Sequence, residues 1–240
     1  MLTMDTKALQ LCAHFALQPN QLGYCGRDCA PAKFQKCMIA GDCKGVETEI
    51  KKFIVLNPYL QTIAEVTGLD PFSYQVIEAY WLGNDLLKKF KPKHYQILLK
   101  YLAKQGVPDW LLKEISKKQP KAFIPIHLFN ILHVGVGRTS GSVPFNLKSI
   151  NQCMIRWGVV SEKVKAKKLK LKVKTQSLRK TRNNYQLISK AEIVDWNKKL
   201  VSDIHTGDQV AVHWGWVAKK LNKQEIENLQ LWTEKLVKSI

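Results

Sequence analysis

Acidic side chains are scarce in this sequence: 19 Asp and Glu stand against 38 Lys and Arg, a formal net charge of +19. A balance of that size favours acidic partners, nucleic acid or an acidic protein surface, and says nothing about fold. Long apolar runs are missing too. The longest, AFIPIHLFNILHVGVG at 122–137, is broken by His127, Asn130 and His133 and falls short of the roughly 20 residues a membrane helix needs, so no transmembrane span is expected. The start, MLTMDTKALQLCAHFALQ, puts Asp5 and Lys7 where a signal peptide would be apolar and lacks the basic start and small-residue cleavage site. It predicts an amphipathic helix of a cytoplasmic protein. No strand–GxxxxGK–helix phosphate loop is present; GVGRTSG at 135–141 has the glycines without that context. Six cysteines in such a chain are expected to be reduced, as thiols or metal ligands rather than disulfides.

What is present is enough apolar material for a real core: 240 residues at 45% hydrophobic. Up to about residue 150 the apolar positions recur at helical spacing, predicting helices over 6–17, 30–40, 45–56, 58–67, 71–82 with a continuation to about 90, 93–105 and 108–118. Residues 122–137 read equally as buried helix or strand, and a short helix near 145–151 closes this half. From residue 152 the period becomes two. Strands are predicted over 153–164, 167–178, 185–196 and 208–214, with a hairpin turn near 166–168, and Ile226, Leu229, Trp232, Leu236 and Ile240 mark an amphipathic C-terminal helix from Lys223. The expected fold is α+β: an all-α domain over 1–150, then a small OB-like β-barrel with a C-terminal helix over 151–240. The basic residues are denser toward the C-terminus, 19 in the 150 residues 1–150 and 19 in the 90 residues 151–240, with ten between Ser161 and Arg182.

Two stretches of the second half carry a resemblance. CMIRWGVV at 153–160, with Cys153, Gly158 and Val160 in register, resembles the opening Met-Cys signature of hydrogenase-assembly chaperones of the HypC/HupF type. GDQVAVHWGWVAKKLNKQEIENL at 207–229 resembles their closing strand and helix through Gly207, Asp208, Val210, Val212, His213, Gly215, Leu221 and Glu225. The resemblance implies a non-enzymatic carrier of an iron fragment bearing two cyanides and a carbonyl. It also implies a HypD-type scaffold protein and the precursor of a [NiFe] hydrogenase large subunit as partners. Carried over, Cys153 is the iron ligand or tether and His213 the second ligand or proton partner, a thiolate and an imidazole suited to such iron. Parity agrees in part: Val210 and Val212 share one strand face and His213 takes the other, so His213 belongs to a site or to solvent and not to the barrel core. Trp157 replaces the family's proline, and an internal Cys153 has no free α-amino group.

In the first half, PNQLGYCG at 19–26 and VIEAYWLGN at 76–84, together with the barrel, resemble a longer prokaryotic family of uncharacterised function, associated with hydrogenase gene clusters. Cys25, beside Arg27 and ahead of a helix N-terminus, reads as a low-pKa thiol, reactive or ligating, or as a buried one. A cysteine-dependent activity there stays open. Cys25, Cys29, Cys37 and Cys43 fit neither a zinc ribbon nor a ferredoxin spacing. His127, His133 and Glu78 read either as the lining of a second pocket or as a core hydrogen-bond network. The alternative to the carrier is an OB-like nucleic-acid-binding protein that uses the lysine-rich strand and exposed aromatics at Trp157 and Tyr185.

Overall fold

Helical spacing of apolar residues builds a set of packed helices between Thr6 and Cys153. The computed structural model describes residues 5–26, 30–164, 166, 168–182 and 184–240. The helices are α1 (Thr6–Gln21), α2 (Pro31–Ala40), α3 (Val46–Lys51), α4 (Leu56–Thr67), α5 (Tyr74–Trp81), α6 (Tyr95–Gln105), α7 (Asp109–Lys117), α8 (His127–Phe129) and α9 (Leu147–Cys153). The ambiguous segment at 122–137 is irregular up to Ile126 and helical from His127, with α8 widening into a π-type turn over Asn130–Gly135. The expected continuation after α5 breaks at Gly83, and a 3-10 turn follows over Asp85–Lys89. Asp5 caps two helices: one carboxylate oxygen accepts from the Ala8 amide in α1, the other from the Tyr74 amide that opens α5. The Asp70 side chain accepts from the Phe72 amide just ahead of α5.

Strands β1 (Arg156–Val164), β2 (Lys170–Lys180), β3 (Tyr185–Asp195), β4 (Gln209–His213) and β5 (Trp216–Lys220) close a barrel in the order β1-β2-β3-β5-β4. Neighbours are antiparallel except β3 and β5, which meet in parallel at Asp195 and Trp216. Val160, Leu171, Val173, Val194, Val210, Val212 and Val217 fill its interior, while Lys172 and Lys174 alternate outward into solvent as their parity requires. β5 falls in the stretch between the last expected strand and the helix expected from Lys223, where no element is predicted. A two-residue turn at Trp214 and Gly215, both at positive φ (50° and 77°), sends the chain straight back as a hairpin. The final helix, α10 (Lys223–Ser239), begins with a capping box between Asn222 and Glu225.

Part of the outer face of β1, β4 and β5 is covered rather than solvated. Trp157, Ala211 and Ala218 join one continuous core with α1, α5, α8 and α10. Two histidines cross this boundary in opposite directions: His213 Nδ1 donates to the Phe15 carbonyl in α1 (2.8 Å), and His14 Nδ1 donates to the Ala218 carbonyl in β5 (2.7 Å). No helix among the described residues is long and apolar enough to cross a membrane. Cys37 and Cys43, expected as thiols, are joined in a disulfide: the left-handed turn at Gly41 after α2 folds the chain back and brings their Cα atoms to 4.2 Å.

Candidate functional site

The segment that ends α9 and the strand end at β4 sit side by side, so Cys153 and His213, 60 positions apart, reach the same buried spot. His127 from α8 joins them. The Cys153 Sγ and one ring nitrogen of each histidine all lie within 4.8 Å of one another, with all three residues buried. Around an ion held at about 2.0–2.3 Å, donors sit roughly 3.3–3.8 Å apart, so small side-chain shifts close the set. The Cys153 thiol is 3.6 Å from His127 Nε2.

Hydrogen bonds fix the two imidazoles differently. A carbonyl oxygen only accepts, so His213 carries its proton on Nδ1, toward Phe15, and presents the lone pair of Nε2. That Nε2 is buried without a hydrogen-bond partner, an orphaned acceptor of the kind a metal or a proton donor would satisfy. The Nε2 of His127 donates to the Cys153 carbonyl (3.0 Å), and its Nδ1 accepts from the Tyr80 hydroxyl (2.9 Å). Ligation through Nε2 requires that proton to leave, and Tyr80 is placed to turn from donor to acceptor for a protonated Nδ1.

The electrostatics follow burial. Desolvation lowers His127 to about 3. It lowers His213 well below the imidazole range, helped by His127 and Arg156 nearby and opposed by the Phe15 and Cys153 carbonyls, of which only the first is in hydrogen-bonding geometry. Both rings are neutral at pH 7 and have lone pairs to offer. Burial pushes the Cys153 thiol up, opposed by the Trp214 indole, so a cation binding there displaces a thiol proton. A cavity of about 80 Å³ opens beside the three donors, lined also by Cys25, Tyr80, Trp81 and Asn130. A single buried water needs roughly 10–15 Å³ of such space, so an ion with several small ligands fits. Tyr24, packed on Trp214 with ring centroids 4.6 Å apart, lies on the same wall.

The remaining candidates divide. Cys25 shares the cavity with Cys153, but its thiol is raised to about 12 by burial rather than lowered; Arg27 and Cys29 lie outside the described residues. Cys37 and Cys43 are tied to each other and line no part of the cavity, so the described cysteines form no four-thiol site. His133 does not accompany His127. Six residues further along the wide turn, its Nε2 meets the Tyr95 hydroxyl (2.9 Å) and its ring stacks on Phe129, which makes it part of a core network. Glu78 is half-buried and accepts from Asn84; burial raises it, and the charges nearest it are Glu225 and Lys219 rather than either histidine. Gly207 and Asp208 serve the fold. The Gly207 amide donates to Val160, and the Asp208 carboxylate accepts from the His205 amide and pairs with Lys220 at 2.7 Å, which holds it below the usual carboxylate range. Gly158 lies where β1 is squeezed between β2 and β4, and Gly215 completes the β4–β5 turn.

Trp157 is buried against the helices and Tyr185 is half-buried against the same core, which corrects the expectation that both are exposed for base stacking. Tyr80, which orients His127, carries no sequence pattern that distinguishes it from the core residues beside it. No curated protein and no solved structure matches the chain. A model of DUF6390, described as a family of unknown function, matches residues 4–240, and the chain belongs to that family.

Proposed function

We propose that this protein is a metallocentre assembly factor that holds an iron cargo at His127, Cys153 and His213, in the manner of hydrogenase-maturation chaperones. The observation that carries the reading is the buried meeting of Cys153 and His213 beside a cavity, with the His213 Nε2 unsatisfied. The donor set supports it: one thiolate and two neutral imidazoles suit iron that keeps small strong-field ligands at its other positions. An internal Cys153 has no α-amino group to offer, and His127 supplies a further donor in its place. The barrel's strand order, closed by one parallel contact between β3 and β5, is consistent with an OB-like assignment. On this reading the segment 1–150 completes the cargo site through His127 and Tyr80. The partners are a HypD-type scaffold and a hydrogenase large-subunit precursor.

The test has two arms. Infrared spectra of protein purified anaerobically from its native host should contain cyanide and carbonyl stretching bands, lost in Cys153→Ser and weakened in His127→Ala. Cobalt(II) titration of the purified protein should give a thiolate-to-metal charge-transfer band with the same mutational pattern. Absence of cobalt binding by the wild type sinks the metal site; cobalt binding without infrared bands sinks the iron-fragment cargo alone.

A further inference from the structure

Helix α9 has two working faces. Ser149, Ile150 and Cys153 turn into the core, whereas Leu147, Lys148, Asn151 and Gln152 line a separate cleft of about 390 Å³ against β2 and β3. Asn151 pins the helix there, donating to the Leu178 carbonyl and accepting from its amide at 2.9 and 2.7 Å. Arg156, only 2% exposed, lines the cleft. Its Nη1 bonds to the Glu192 carboxylate, which also accepts from the Thr175 hydroxyl. Its Nε and Nη2 are buried and have no partner.

Those two nitrogens are not an arbitrary remainder. The Nε–H and one Nη2–H run parallel along a single edge of the planar guanidinium, the fork that takes two oxygens of one oxyanion. Glu192 occupies the other end of the group and leaves this edge unused. A buried charged donor without an acceptor is a standing cost, so the fold keeps the edge at the expense of its own stability. Lys148 and Lys190, also on the cleft, are exposed and have no ion-pair partner among the described residues. With Arg156 they outnumber the one carboxylate, Glu192. Leu147, Leu178 and Ile188 make the rest of the lining apolar.

We propose that this cleft binds a carboxylate-bearing ligand, its two oxygens on the Nε–Nη2 edge of Arg156 and its organic part against Leu147, Leu178 and Ile188. The planar two-oxygen group matches the planar fork, and the apolar lining suits an attached carbon chain better than a bare inorganic anion. The site is distinct from the cavity at Cys153 and does not depend on any metal being bound there. Two sources share this chemistry, a small free carboxylate and the C-terminal carboxylate of a peptide.

The experiment titrates the full chain, labelled with ¹⁵N-arginine, with acetate, with a short leucine-terminated peptide as free acid and as C-terminal amide, and with inorganic phosphate. The Nε–H resonance of Arg156 should move with carboxylates. Calorimetry should show at least tenfold weaker binding in Arg156→Lys, which keeps the charge and loses the fork, and several-fold weaker, more salt-sensitive binding in the surface pair Lys148→Gln with Lys190→Gln. A free-acid peptide that binds tenfold tighter than acetate supports the proposal with a chain terminus as the source; equal affinities support it with a small carboxylate. The proposal is overturned if no carboxylate moves that resonance, if the amide binds as tightly as the acid, or if phosphate binds more tightly than any carboxylate.

Discussion

Two glycines of the barrel separate the two reasons a glycine is required. Gly207 sits at φ +92° with nothing within 4 Å of a built Cβ, so an alanine there meets only backbone strain, about 1–2 kcal/mol. Gly158 has room for neither side chain nor adjustment: a Cβ would lie 2.4 Å from the Lys174 carbonyl oxygen and 2.8 Å from the Thr175 Cα. Both neighbours are backbone of β2, which is tied to β3 by an unbroken register from Lys170↔Asp195 to Lys180↔Tyr185. β1 is held from the other side by β4 at Val210. Overpacking usually costs roughly 1–3 kcal/mol when side chains can give; with only backbone to move, Gly158→Ala should cost about 3 kcal/mol or more. For a chain of this size that is a fall in Tm of about 6–12 °C, a large share of a stability of about 5–15 kcal/mol. Urea unfolding followed by tryptophan fluorescence, with Gly207→Ala as the paired control, measures both. The reasoning fails if Gly158→Ala lies within about 1 kcal/mol of wild type, or costs less than Gly207→Ala.

Other outcomes follow from the same structure. Burial lowers His14 and His133 to about 4. The unfolded chain therefore binds more protons below about pH 6.5, and stability present above that pH should be lost as pH falls toward 4, by up to about 1.4 kcal/mol per unit for each histidine. Urea midpoints at pH 7, 6 and 5 test this, and a flat profile refutes it. Cys25, raised to about 12, should hold about a thousandfold less thiolate than an ordinary thiol, so iodoacetamide at neutral pH should label it slowly in the native protein; fast labelling of Cys25 alone would revive a cysteine enzyme. Asp5→Ala removes caps from α1 and α5 together and should cost about 2 kcal/mol, against about 1 kcal/mol for a single cap, read from the same denaturation curves.

Much of the helical half was legible because apolar residues recur at helical spacing over long stretches. β5 was not. Five residues, WVAKK, are too short to separate strand from helix by period, and the turn ahead of it places Trp214, rather than the usual Asn or Asp, at the first left-handed position. Cys153 and His213 were visible through a pattern resemblance and strand parity. The partnership of His127 with them was not, since no local spacing relates it to Cys153, 26 positions away, and only tertiary packing sends it there while His133 goes to Tyr95. The burial of Trp157 has no sequence signal: alternation identifies the outer face of a barrel, and only tertiary packing decides whether that face meets water or helices. Arg156 carries no sequence signal either, because a charge in a strand normally points outward, whereas here it shares the inner face with Val160 and is met by Glu192 across the barrel mouth.

The exchange of His14 and His213 across the boundary joins groups 204 and 198 positions apart. Such distant closures raise contact order, so assembly should be slow and late, with neither half settled before the other arrives. They also make the chain hard to divide. Proteolytic nicking in the exposed loop near residues 138–146 should leave two pieces that remain associated and co-purify, whereas either piece expressed alone should expose the shared apolar face and aggregate. Fragment complementation, rather than independent folding, is the behaviour this pair of histidines writes into the protein.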